Sequence, residues 1–168
     1  MRKLAVLISV ALAVCVLGAS AASAAKPRLS KAQWAAYVKV HTPYVAQTAK
    51  TVAVFRKCRS STAYTSYLKA FAACLGTAPA KEDAATKKLY LTLLGFQGKT
   101  SGACAPSLGA YLHALYFWRS VVVGIERAVR IVSSNVSTVE GQVQNGQLAA
   151  RKANVATTNF ERNCKPLS

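Results

Sequence analysis

Apolar positions along this chain recur at steps of three and four residues from Trp34 to Cys164, whereas the every-second-residue alternation of a strand is nearly absent. Ser30 and Gln33 form a capping box, each side chain answering a backbone N–H of the other, and Trp34, Tyr37, Val38 and His41 make the stripe that follows. The Thr42-Pro43 step predicts a break: His41 ends the first helix, where positive charge suits the dipole, and Pro43 opens a second. Val45, Ala49, Val52 and Phe55 carry that second helix towards Cys58. A third stripe, Tyr64, Tyr67, Leu68, Phe71 and Leu75, stops at Gly76, the residue type that tolerates a left-handed helix end. Pro79 opens a fourth helix, with Glu82 and Asp83 placed in its first turn against the positive end of the dipole, and Gly95 stops it after Leu94.

The stretch from Gly95 to Pro106, with Gly98, Gly102 and Cys104, reads as a loop. The segment from Leu108 to Val132 is the most apolar beyond the N-terminus, yet it contains His113, Arg119, Glu126, Arg127 and Arg130. Those charges argue for a central, largely buried helix over a membrane span. A turn at Ser133, Ser134 and Asn135 leads into a last helix with a second capping box, Ser137 and Glu140. Its seam of Val136, Val139, Val143, Gly146, Ala150, Ala153, Thr157, Phe160 and Cys164 is made mostly of small residues, which lets a neighbouring helix approach closely. The fold class is therefore all-α: a disulfide-stabilised bundle of five to six helices with a long C-terminal helical hairpin.

The N-terminus changes the picture of where this bundle works. Basic Arg2 and Lys3, an apolar run from Leu4 to Gly18 and the small residues from Ala21 to Ala25 have the three-part form of a secretory signal. Residues 1–25 are expected to be cleaved and 26–168 to form a single helical domain, secreted or extracytoplasmic. An even set of four cysteines then remains, which in an exported chain predicts two disulfides. In an antiparallel hairpin about the Ser133–Asn135 turn, residues equidistant from it meet, and Cys104 and Cys164 lie equally far from position 134. Cys58 and Cys74 pair by elimination. A helix running unbroken from Thr62 would carry Cys74 roughly 20 Å from that start, so the pairing requires the Ser60–Ser66 stretch to be irregular and the helix to begin near Tyr67.

Charge narrows the partners. The chain carries 22 Lys and Arg against 5 Asp and Glu, a net charge of +17. Loss of Arg2 and Lys3 on export takes two charges away and leaves about +15. The cations come in small groups, notably Arg56, Lys57 and Arg59, then Lys87 and Lys88, then Arg151 and Lys152. Spread over several helices, they suit contact with an anionic polymer, lipid headgroups or an acidic protein better than a dedicated nucleic-acid groove.

Candidate chemistry is sparse. The acids are Glu82, Asp83, Glu126, Glu140 and Glu161, and the histidines are His41 and His113, the latter near Tyr111 and Trp118. No triad or zinc-ligand spacing links them, so no catalytic residue, metal or cofactor is assigned. Arg119, Glu126 and Arg130 share one face of the apolar helix. They read as an anion clamp lining a pocket or as the solvent-facing edge of a buried helix. The leading expectation is a secreted, non-enzymatic protein that binds anionic envelope material or an acidic partner through its surface. A small-ligand carrier or enzyme with an anion pocket at Arg119, Glu126 and Arg130, and a membrane-active effector, are the alternatives.

Overall fold

The computed structural model describes residues 28–60, 68–130 and 136–167, without the side chains of 59, 60, 68, 69, 129, 130 and 136–140. Five helices cover most of these residues: α1 (Lys31–Ser60), α2 (Leu68–Leu75), α3 (Ala78–Leu94), α4 (Cys104–Arg130) and α5 (Val136–Cys164). The N-terminal segment, Tyr64, Tyr67, the Ser133–Asn135 turn and the Ser137–Glu140 capping box lie outside the described residues, as does residue 61–66 of the stretch expected to be irregular.

Helix α1 starts on the expected capping box. Gln33 N–H donates to Ser30 Oγ at 3.1 Å, and Ser30 N–H donates to Gln33 Oε1 at 2.9 Å. The expected break at Pro43 does not occur, because α1 runs through it. Proline there forfeits one backbone hydrogen bond, but Tyr37, Tyr44, Thr51 and Cys58 recur at seven-residue spacing and are all buried. Only a continuous helix keeps that stripe against one core, and Pro43 itself lies on the exposed side. His41 is consequently in mid-helix and not at a helix end. Helix α4 likewise begins earlier than expected, at Cys104. Pro106 falls in its first turn, where N–H groups have no partner within the helix.

The four long helices alternate in direction. Thr48 meets Glu82, Asp83 meets Arg119, and Cys104 meets Cys164, so each of α1, α3, α4 and α5 runs antiparallel to the one before it. Helix α2 occupies the first connection and packs on α1 and α4. It ends where expected: Gly76 adopts a positive φ of 52°. Among α-helix contacts the α4–α5 hairpin is the most extensive, and the two helices pass closely at Gly124, where a Cβ would lie 3.0 Å from Gln142 Oε1.

Both disulfides join the expected partners, Cys58 to Cys74 with Cα atoms 5.7 Å apart and Cys104 to Cys164 with Cα atoms 4.7 Å apart. The helix carrying Cys74 begins at Leu68, which shortens the rigid arm that the earlier geometry made too long. Near the other disulfide, Leu29 N–H donates to Cys164 O at 3.1 Å and the Arg28 guanidinium to Lys165 O at 3.0 Å, fastening the start of the described domain to its end.

Two apolar clusters stack along the bundle. One holds Tyr37, Leu89, Leu93, Leu108, Tyr111 and Phe160 beside Cys104–Cys164; the other holds Phe71, Leu75, Trp118, Val122 and Ile125 beside Cys58. Buried Glu82, with Thr48 and Thr86 hydrogen-bonded to it, forms a polar layer beside Trp118 of the second cluster. Helix α4 passes through both. Its Cys104–Ala128 span is long and apolar enough to cross a membrane, with a mean hydropathy of 1.2, but half of that window is buried inside the bundle. The buried half is what a core helix shows.

Candidate functional site

Helices α1, α2, α4 and α5 enclose a cavity of about 450 Å³ on the side of the second cluster. Its interior is apolar: Val52 and Phe55 from α1, Phe71 from α2, and Trp118, Val122 and Ile125 from α4. Helix α5 closes the remaining wall with Val143, Gly146 and Ala150, small enough to leave the space unfilled, together with Gln147. Two cations belong to the lining, Arg56 from the last turns of α1 and Arg151 from the middle of α5. Both are exposed, which places them at the mouth with their charge in water and their stems against the apolar wall. Among the described residues neither takes part in a hydrogen bond or ion pair, and none of those lining the cavity is an acid.

Two of the basic groups noted in the sequence therefore border one cavity, although nearly a hundred residues separate them. Lys57, exposed, adjoins Arg56; Lys152, also exposed, adjoins Arg151 and holds its ammonium 5.3 Å from the centre of the Phe117 ring. The side chain of Arg59 lies outside the described residues. Lys87 and Lys88 are exposed on α3 and line no part of the cavity.

The Arg119, Glu126 and Arg130 strip is placed differently. Arg119 reaches across to α3, where Nε donates to Asp83 Oδ1 and Nη2 lies 3.5 Å from Asp83 Oδ2. Its guanidinium thus already holds a carboxylate. Glu126 is half-buried and engaged with a neighbour, and the Arg130 side chain lies outside the described residues. Neither Arg119 nor Glu126 lines the cavity, because the residues that do, Trp118, Val121, Val122 and Ile125, occupy the adjoining face of the same helix.

The acids near Pro79 have another role than the one expected. Proline does occupy the helix start, but Glu82 and Asp83 fall beyond the first turn. Glu82 is completely buried, and its Oε1 accepts from Thr48 Oγ1 and from the indole Nε1 of Trp118, both at 2.7 Å; Oε2 has no partner. Counting from Pro79 places both acids in the second turn, and that count was the available signal. Nothing in the local pattern indicated that consecutive acids on α3 would meet the consecutive Trp118 and Arg119 on α4.

A second polar group crosses the bundle nearer Cys104–Cys164. Tyr37 donates to Glu161 Oε1 at 2.9 Å, and His41 stacks on the Tyr37 ring, with centroids 4.7 Å apart and its Nδ1 3.9 Å from the same carboxylate oxygen. Burial lowers the His41 pKa against the opposing pull of Glu161. Burial is likewise the main cause raising the phenols of Tyr37 and Tyr44 and pushing Tyr111 up to about 12. His113, expected near Tyr111 and Trp118, is on the exposed face of α4. Among the described residues no three His, Cys, Asp or Glu side chains gather as a metal site would require.

No protein-family model, curated protein or solved structure matches this chain.

Proposed function

We propose that this protein is an exported, non-enzymatic binding protein that associates with anionic envelope material through the basic residues of α1 and α5 that border the cavity. The observation that carries this reading is that Arg56 and Arg151, with Lys57 and Lys152 beside them in sequence, border one cavity that no acid lines among the described residues. Three of the 5 acids set against 22 Lys and Arg are turned inward or committed. Glu82 is buried, Asp83 holds Arg119, and Glu161 serves Tyr37 and His41. An exposed surface with this excess of cations attracts polyanions over a Debye length and more strongly where cations cluster. Two disulfides suit an oxidising compartment, where lipid headgroups and wall polymers are the abundant anions. The same commitments support a non-enzymatic role, since Glu82, Asp83, Glu161 and His41 are engaged in contacts between helices.

The reading is tested with vesicles containing phosphatidylglycerol, compared with neutral vesicles at low and high salt. Binding should require the acidic lipid and weaken at least about tenfold between 50 and 200 mM salt, since several cations release counterions together. Replacing both Arg56 and Arg151 by Glu should abolish it, whereas replacing Lys87 and Lys88 by Glu should leave most of it. Equal losses from the two pairs would show that the charge acts diffusely, with no favoured face.

A further inference from the structure

We propose that the cavity is a binding site for a single-chain amphiphilic carboxylate, its hydrocarbon tail inside and its headgroup at the rim that Arg56 and Arg151 line. This goes beyond surface association and rests on the apolar interior, so either proposal survives failure of the other. The walls of Phe55, Phe71, Trp118, Val122 and Ile125 offer a tail only apolar contact. A ligand without a tail would leave that surface unused, and one without a charge would leave the two guanidinium groups unanswered.

The position of the cations selects the headgroup. Arg56 and Arg151 sit at the mouth, come from different helices and have no acidic neighbour in the lining. A carboxylate held there stays at the water boundary, which avoids the desolvation cost of an ion pair deep in the bundle. Guanidinium groups match a carboxylate through two parallel N–H donors. Gln147, on the same wall, adds a neutral amide at the rim. A volume of about 450 Å³ lies near the lower end of the ~300–1,000 Å³ range of small-molecule sites, in keeping with one tail and not two.

The chain has two tryptophans, and Trp118 forms part of the wall, so a Trp34→Phe variant leaves it as the only one and as an internal reporter. Octanoate, decanoate and dodecanoate, each below its micelle concentration, should change its emission saturably. Each added methylene should tighten binding about twofold to fourfold, as transfer of CH₂ from water to an apolar site requires. Isothermal titration of the unsubstituted protein should reproduce that series. Dodecanol should bind about tenfold more weakly than dodecanoate, and Arg56→Gln with Arg151→Gln should bring dodecanoate down to the level of the alcohol. Ala150→Phe, which fills the space, should weaken every ligand while circular dichroism stays that of the parent. Absence of saturable binding by all three carboxylates, affinity independent of chain length, or equal affinity for alcohol and carboxylate would each overturn the proposal. Binding to acidic vesicles without binding to monomeric carboxylates would overturn it too, while sparing the surface reading.

Discussion

Trp118 donates its indole N–H to Glu82 Oε1 at 2.7 Å, joining the middle of α4 to α3 and fixing one wall of the cavity from behind. Thr48 of α1 donates to the same oxygen, so one carboxylate ties three helices together at the polar layer beside the second apolar cluster. Glu82→Leu strands two donors, each costing about 1–3 kcal/mol when buried without a partner. Glu82→Gln keeps an acceptor oxygen for them. Urea unfolding should therefore rank the parent above Gln and Gln above Leu, with the Leu variant also shifting Trp118 emission. Equal losses for both variants would show that the negative charge, and not the accepting oxygen, secures the layer.

The two disulfides should contribute unequally. Cys104–Cys164 spans 60 residues of sequence and Cys58–Cys74 spans 16, so the chain-entropy argument assigns them about 4 and about 3 kcal/mol. Removing the longer link, by Cys104→Ser with Cys164→Ser, should lower the melting temperature more than removing the shorter one. It should also loosen the contact of Leu29 with Cys164, seen as faster amide exchange at Leu29. Peptide mapping that joined Cys58 to Cys104 would refute the arrangement.

Two glycines should respond to alanine in opposite directions. Gly109 is exposed within α4, and a Cβ there would meet nothing within 4 Å, so Gly109→Ala should stabilise by about 0.5–1 kcal/mol. Gly76 ends α2 at a φ of 52°, where an L side chain is strained. Gly76→Ala should destabilise by about 1 kcal/mol. Paired thermal melts resolve both signs.

Stability should fall on both sides of neutrality. The phenols of Tyr37, Tyr44 and Tyr111 are raised above 10.0, mainly by burial, so the folded state keeps protons that the unfolded chain releases. Their contribution is whole below pH 10 and is lost above it; for Tyr111, at about 12, the loss by pH 12 is about 2 kcal/mol. His41 has the opposite displacement. Its folded pKa lies below 6.5, so stability is whole above that pH and declines as the solution is acidified through it. Urea midpoints followed across pH should show both declines, and His41→Phe should flatten the acidic one.

Much of the fold was legible because its signals are local. The Ser30 capping box, the glycine stop at position 76, the pairing of Cys104 with Cys164 and the buried character of α4 each follow from a few neighbouring residues or a symmetric spacing. Pro43 was misread because the cost of one hydrogen bond is a local fact, whereas the benefit of an unbroken Tyr37–Tyr44–Thr51–Cys58 stripe is not. The acids at 82 and 83 were misread for the same reason. Helix dipoles are visible along a sequence; a tryptophan arriving from another helix is not.

The sequence by itself determined an all-helical, cysteine-linked chain with a large excess of positive charge, since periodicity, capping and composition depend on near neighbours or simple totals. Only the tertiary structure decided which charges act together. Antiparallel packing commits Arg119 to Asp83 and places both Arg56 and Arg151 in the lining of one apolar cavity. That outcome depends on how helices distant in sequence register against one another, and the spacing of cations along one strand of text does not contain it.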